Sequence, residues 1–354
     1  MKAVTYFGKG DFRMTEKPVP SVMGPRDAVV RVTMSAICTS DLHIRAGSVP
    51  RAVPGITVGH EFVGVVTEVG EDIEGLSVGD RVAANCETYC GECYFCRHGW
   101  VNNCTDPAGG WALGCRIDGG QAEYVRVPFA DNCLTRIPDG VDDERALLTG
   151  DLLSTAYWAT ESSCVSEGDT VAIIGAGPTG LCCAMMASLK RPSTVVMIDT
   201  DRSRLIFARN HGLGDVFIDP SERDPEEVLR GITEGRGADI VMEVAGGEDT
   251  FRTAWRIARP NATVMVVAMY GEPQTLPLPD MYGKNLRFVT GGVDGCHCDD
   301  VMDLISSGRI DASCLITHRF PFDRAMEAYD LFASRRDGVL KVALVMDADG
   351  KTDL

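Results

Sequence analysis

The chain has no surplus of positive charge. Its 354 residues hold 34 Lys and Arg against 51 Asp and Glu, a formal net charge of −17. This balance argues against nucleic acid or an anionic membrane as a partner, since both are polyanions. No run approaches the roughly 18 apolar residues that a membrane span needs. The opening stretch Met1 to Phe12 lacks the apolar core of an export signal. Internal repeats and low-complexity segments are missing too. What remains, 45% hydrophobic and 24% charged, is the composition of an ordinary globular protein long enough for two domains. Its 14 cysteines, in a chain of this size without an export signal, read as free thiols and metal ligands rather than a disulfide framework, and place the protein in the cytoplasm.

One stretch, Ile37 to Gly64, gathers reactive side chains: Cys38, Asp41, His43, His60 and Glu61, with hydroxyls at Thr39 and Ser40. A thiolate and an imidazole favour zinc, and a carboxylate can complete the set. The helical HExxH zinc motif is absent, because Gly64 stands where its second histidine belongs. From Gly59 to Val82, Val and Gly alternate with turn residues, which predicts twisted strands of a small barrel. Further on, Cys90, Cys93, Cys96 and Cys104 read C-x2-C-x2-C-x7-C. Four thiolates so spaced can close a tetrahedron around a structural zinc. An iron–sulfur site starts the same way, but its fourth cysteine follows after three residues and precedes proline. Here seven residues intervene and Thr105 follows. Cys86 falls outside the pattern. Cys296, His297 and Cys298 are too close together to wrap one ion. Val141 to Ala159 reads as helical and carries Asp151 inside an apolar run, where a carboxylate needs a partner.

The character changes at Thr170. A strand, Thr170 to Ile174, leads into Gly175-Ala176-Gly177-Pro178-Thr179-Gly180 and then a helix from Leu181 to about Leu189. A second strand ends at Asp199, at the spacing of a dinucleotide fold. Glycines let the backbone approach a pyrophosphate, and the helix N-terminus offers unpaired N–H groups. Strands near Val216, Ala238 and Ala262 alternate with helices beginning near Arg202, Pro225 and Thr250, which predicts a doubly wound parallel sheet. Asp199 can accept hydrogen bonds from ribose hydroxyls, which favours NAD(H). Arg202 and Arg204 are the opposing signal, able to grip a 2′-phosphate or to flank the adenine.

Taken together, these motifs resemble the zinc-dependent alcohol dehydrogenases of the medium-chain dehydrogenase/reductase family, over almost the whole chain. The resemblance implies an α/β two-domain fold. A GroES-like β-barrel catalytic domain would span residues 1–150 and 291–354, and a Rossmann coenzyme domain 151–290, with the active site between them. It further implies two zinc ions per chain. A catalytic zinc would be held by Cys38, His60 and Asp151, with Glu61 as a fourth ligand or as a carboxylate behind the ligands. A structural zinc would be held by the four lobe cysteines. Asp41 is read as the acceptor that orients His60. Ser40 and His43 match the family's proton relay, Thr155 a nicotinamide contact, and Trp111 a wall of the substrate pocket. Ser40, Asp151 and Trp111 together favour a secondary alcohol or ketone as the small-molecule substrate. A polyol, threonine or hydroxysteroid dehydrogenase is the alternative within the family, and a non-catalytic redox sensor the alternative outside it. A homo-oligomer, tetramer or dimer, is also implied.

Overall fold

The strand Ala28–Ile37 explains much of the first half of the chain. Its ten residues are nearly all apolar and buried, as expected of a central strand covered on both faces. It pairs antiparallel with Phe62–Val69, Tyr124–Val127 and Lys341–Val345. These belong to a seven-stranded sheet that also holds Arg81–Ala84, Leu134–Arg136 and Ile316–Pro321. A hairpin of Lys2–Gly8 and Asp11–Glu16 stands apart. Its second strand is absent from the sequence reading: only Phe12 and Met14 of its six residues are apolar.

The computed structural model describes residues 1–346 and divides into two compact units. One runs from Met1 to Ser154 and resumes at Asp294; the other is Thr155–Val293. Asp151 therefore lies in the same unit as Cys38 and His60, a few residues before the break.

The expected single helix from Val141 to Ala159 is not continuous. A helix Asp143–Leu147 gives way to a π-helical turn, Thr149–Leu153, before the helix Ser154–Ser162. The Leu153 N–H donates to Leu148 O at 3.0 Å, five residues back, which widens the turn. Neighbouring backbone fixes this bulge. Cys86 N–H donates to Gly150 O at 3.0 Å, and a Cβ at position 150 would run into the Ala84 carbonyl. Only glycine lets the turn sit so close to the strand Arg81–Ala84, and Asp151 is the next residue.

The second unit holds a six-stranded parallel sheet. In chain order its strands are Thr170–Ile174, Thr194–Ile198, Val216–Ile218, Ala238–Glu243, Ala258–Val266 and Arg287–Thr290. Numbered one to six they stand as 3-2-1-4-5-6, the arrangement of dinucleotide-binding folds. The helix after the first strand is Pro178–Ser188. It starts three residues before the expected Leu181, because Gly177 is the N-cap and Pro178 occupies the first turn, where its missing N–H costs nothing.

Candidate active site and metal centres

Cys38 is placed by two elements at once. It follows the central strand and caps the helix Thr39–Arg45, and its own N–H donates to Asp41 Oδ2 at 2.9 Å. His60 and Glu61 lie just before the paired strand Phe62–Val69. The Glu61 carbonyl accepts from Ala36 N–H and from Ser35 Oγ, both at 2.9 Å. The π turn brings the fourth group, Asp151. Its Oδ2 lies 3.4 Å from Cys38 Sγ and 3.6 Å from His60 Nε2. Each of Cys38, His60, Glu61 and Asp151 offers one donor atom, and these atoms all lie within 4.8 Å of one another.

This donor set fits zinc. Sulfur, imidazole nitrogen and carboxylate oxygen together suit a borderline-soft ion better than magnesium or calcium. Three groups that can carry negative charge crowd together, Glu61 buried and Cys38 and Asp151 half-buried, and Glu61 Oε2 has no hydrogen-bond partner. A central cation would satisfy both conditions. The local electrostatics are strained in the same sense. Burial pushes the Cys38 thiol up against the pull of Lys341. Burial likewise raises Glu61 from 4.5 to about 7, with Lys341 opposing. Asp151 runs the other way: burial opposes, but the hydrogen bond from His60 and the charges of His60 and Lys341 hold it far below the ordinary range.

Behind the donors, Asp41 Oδ1 faces His60 Nδ1 at 3.5 Å, and neither atom has a hydrogen bond. Asp41 is fully buried. Gln121 Nε2 donates to its Oδ2 at 3.2 Å, and Tyr329 Oη donates to Gln121 Oε1 at 2.7 Å. This chain of polar groups fixes the Asp41 carboxylate beside the His60 ring. Ser40 Oγ is 3.1 Å from His60 Nε2, beside the donors. His43 lies one turn along the same helix, half-buried, and its ring makes no hydrogen bond or ion pair among the described residues. Trp111 stands edge-on to His60, ring centroids 5.7 Å apart.

One residue escaped the sequence reading. Lys341, from the last strand, places Nζ 2.6 Å from Glu61 Oε1, with both side chains buried. The register Val342 to Ile37 sets this lysine next to Cys38. Its ammonium is held above the ordinary lysine range: burial opposes, but Cys38, Glu61 and Asp151 outweigh it. The only signal was a lone lysine inside the apolar run VLKVALVM.

The lobe cysteines form the second donor set, again within 4.8 Å of one another. The Sγ atoms of Cys93 and Cys96 are 3.4 Å apart, and those of Cys104 and Cys90 are 3.6 Å apart. These are not disulfide distances, and all 14 cysteines are free. Backbone N–H groups of Cys93 and Cys96 point at Cys90 Sγ and Cys93 Sγ. The N–H groups of Cys96 and Thr105 lower Cys93 to about 6, which favours the thiolate that a metal needs. Cys86 is buried outside this set. Cys296 and Cys298 join no donor group among the described residues.

In the second unit, Gly175 takes φ +111°, a region open to glycine. A Cβ at Gly180 would collide with the Gly175 carbonyl. The turn therefore packs tightly under the N-terminus of the helix that begins at Pro178, an end whose dipole favours an anion. Asp199 Oδ2 accepts from Ala176 N–H at 2.6 Å and Oδ1 from Asp201 N–H at 2.8 Å. Asp199 thus braces the glycine turn, a role the sequence reading did not assign. Arg204 reaches back over that turn, with Nη1 3.4 Å from where a Gly177 Cβ would stand, and it lies 3.5 Å from Asp201. Thr155 is the first residue of this unit, in the opening turn of the helix Ser154–Ser162.

A dinucleotide-type sheet in one unit and two metal-donor sets in the other, one of four thiols and one of mixed sulfur, nitrogen and oxygen, define a two-domain, metal-binding dehydrogenase. Comparison with known proteins agrees. Residues 24–139 match the alcohol dehydrogenase GroES-like domain family, and residues 178–306 the zinc-binding dehydrogenase family. An alcohol dehydrogenase of Cupriavidus necator is 36% identical, over 97% of this chain and 98% of its own. The solved structure of zinc dependent alcohol dehydrogenase 2 from Streptococcus pneumonia superposes with a TM-score of 0.93 at 34% identity, covering 99% and 100% of the two chains. The alcohol dehydrogenase rspB from E. coli CFT073, solved with NADH, gives 0.88 at 30% identity, covering 98% and 99%. The chain belongs to the zinc-dependent alcohol dehydrogenase family of medium-chain dehydrogenases. It is an oxidoreductase acting on CH–OH groups.

Proposed function

We propose that the protein interconverts secondary alcohols and ketones with NAD(H), using a catalytic zinc at Cys38, His60 and Asp151. The observation that carries this reading is the convergence of those three donors with the Ser40 hydroxyl on one spot. Zinc bound there supplies a Lewis acid for the substrate oxygen, and NAD(H) supplies the hydride acceptor or donor. The chain's own groups do the rest. Ser40 Oγ takes the proton of the substrate hydroxyl and passes it on without becoming charged. His43, one turn further along the same helix, hands it to water. Asp41 holds the His60 ring in orientation. Lys341 draws Glu61 aside through Oε1, leaving Oε2 as a fourth donor able to engage and withdraw. Ser40, a small side chain, leaves room for a second carbon substituent, and Trp111 forms the wall beside it.

The four lobe cysteines are the site of a second, structural zinc, supported by their spacing and the N–H groups aimed at sulfur. Thr155 is assigned to the nicotinamide. Gly175, Gly177 and Gly180, with Pro178 and Thr179, are assigned to the pyrophosphate, Asp199 to the adenosine ribose and Arg204 to the adenine side. Fourteen free cysteines support a cytoplasmic location. Among the described residues, no helix is long and apolar enough to cross a membrane. Exposed Tyr94 and Trp100 on the lobe support assembly as a dimer or tetramer. The test is nicotinamide absorbance with 2-butanol, a polyol and L-threonine, each with NAD and NADP. The reading requires 2-butanol with NAD to give the highest kcat/KM, and a clear preference for polyol or threonine overturns it.

A further inference from the structure

Near the metal donors one cation has no task in this chemistry. The Arg51 guanidinium carbon lies 5.0 Å from the centroid of the Trp111 ring, and the Trp111 and His60 centroids are 5.7 Å apart. Laid end to end, those two separations are the farthest the guanidinium can be from the His60 ring. Exposure falls along the same line: Arg51 is exposed, Trp111 half-buried and His60 buried. The three side chains form a wall running from solvent to the donors.

Arg51 reaches the Cys115 thiol, a weak and uncharged acceptor. Among the described residues Arg51 makes no ion pair, unlike Arg26, Arg45, Arg81 and Arg126 of the same unit. The Trp111 indole N–H is buried without an acceptor. The carboxyl of Glu87 feels Arg51, but burial raises it to about 8, so near neutral pH it is mostly uncharged and leaves the cation uncompensated. A guanidinium presents a planar fork that matches carboxylate and phosphate oxygens, and a tryptophan face beneath it keeps the side chain in place. On a chain of net charge −17, such a local cation is what an anionic substrate requires.

We propose that Arg51 is a specificity-determining residue. It holds the anionic end, carboxylate or phosphate, of a short hydroxy or keto substrate whose carbinol carbon reacts at Cys38, His60 and Asp151. The proposal rests on the dehydrogenase reading given above. The carbinol loses a hydride to NAD and its hydroxyl proton to solvent, becoming a ketone, while the anionic group stays intact.

The test compares matched substrate pairs: 4-hydroxypentanoate with 2-pentanol, and 3-hydroxybutyl phosphate with 1,3-butanediol. Wild type, Arg51→Gln and Arg51→Lys are assayed with NAD, and binding of 4-oxopentanoate and 2-pentanone to the zinc-loaded enzyme with NAD is measured by calorimetry. Wild type should favour the anionic member of at least one pair by about tenfold in kcat/KM, mostly through KM, the scale of a charge-assisted hydrogen bond. The pair that responds tells carboxylate from phosphate. Arg51→Gln should abolish the preference and Arg51→Lys restore part of it. A wild type that favours the neutral member of both pairs, or a preference unchanged in Arg51→Gln, overturns the proposal. An enzyme inactive on every compound would overturn the dehydrogenase reading instead. Arg51-dependent binding of 4-oxopentanoate over 2-pentanone would then still uphold the role of Arg51, and equal binding would overturn it.

Discussion

Lys341 Nζ and Glu61 Oε1 meet at 2.6 Å with both side chains almost wholly out of water. A buried pair of this kind adds little net stability over apolar residues of similar size, yet breaking it strands a charge. Lys341→Met should therefore destabilise the protein by about 3–5 kcal/mol, seen as a lower midpoint in denaturant. Adding Glu61→Gln should recover a substantial part, because no buried charge is then left alone. Equal stability of wild type and Lys341→Met would show that the pair does not hold this site together.

Glu87, which lies outside both donor sets, gives a pH signature of its own. Burial raises its carboxyl from 4.5 to about 8, with Asp294 adding to the rise and the Gly295 N–H opposing it. Between these values the unfolded chain binds fewer protons than the folded one, so stability falls as pH rises from about 4.5 to 8 and levels off above. Glu87→Gln removes the titrating group and should flatten that slope. Chemical denaturation of both proteins across this range checks it, and an unchanged slope rejects the assignment.

Ser40 and His43 should separate by severity. Ser40→Ala removes the hydroxyl beside the donors and should cut turnover by about 10²–10⁴. His43→Ala should cost roughly tenfold or less, because water can replace a histidine that meets solvent. pH–rate profiles of the two variants test the order, and a Ser40→Ala enzyme of normal turnover removes Ser40 from the mechanism.

Asp199 carries two jobs, bracing the glycine turn through Ala176 N–H and Asp201 N–H and, on our reading, accepting from the ribose. Asp199→Gly should weaken both coenzymes through the turn and NAD further through the ribose. The ratio of kcat/KM for NAD over NADP should accordingly narrow, with Arg204 available to a phosphate. A wild type more efficient with NADP contradicts the ribose assignment.

The parts legible in the sequence were those with a local signature. The parallel sheet announced itself through strand and helix alternation around the glycine turn. Cys38, His60 and the four lobe cysteines stood out by spacing within a short piece of chain. Asp151 stood out as a carboxylate in an apolar run, but its place as a metal donor came only from the family resemblance, since a π turn held by Gly150 against Ala84 has no clear pattern there. Lys341 was invisible because its partner lies 280 residues away, and only the antiparallel register beside Cys38 brings them together. The role proposed for Arg51 has no sequence signal for the same reason: it depends on Arg51 lying over Trp111 and on Trp111 standing edge-on to His60.

The central claim is that Cys38, His60 and Asp151 hold the zinc at which the alcohol reacts, apart from the zinc of the lobe. Zinc content and NADH production, measured together on wild type, Cys38→Ser and Cys93→Ser, test it most directly. Wild type should hold two zinc ions per chain, one for each donor set, and turn over 2-butanol. Cys38→Ser should lose one zinc and at least about a thousandfold in turnover while melting near the wild-type temperature, because an open site contributes chemistry more than fold. Cys93→Ser should instead melt lower or assemble poorly, since lobe folding is coupled to its metal. A Cys38→Ser enzyme with near-normal turnover contradicts the account.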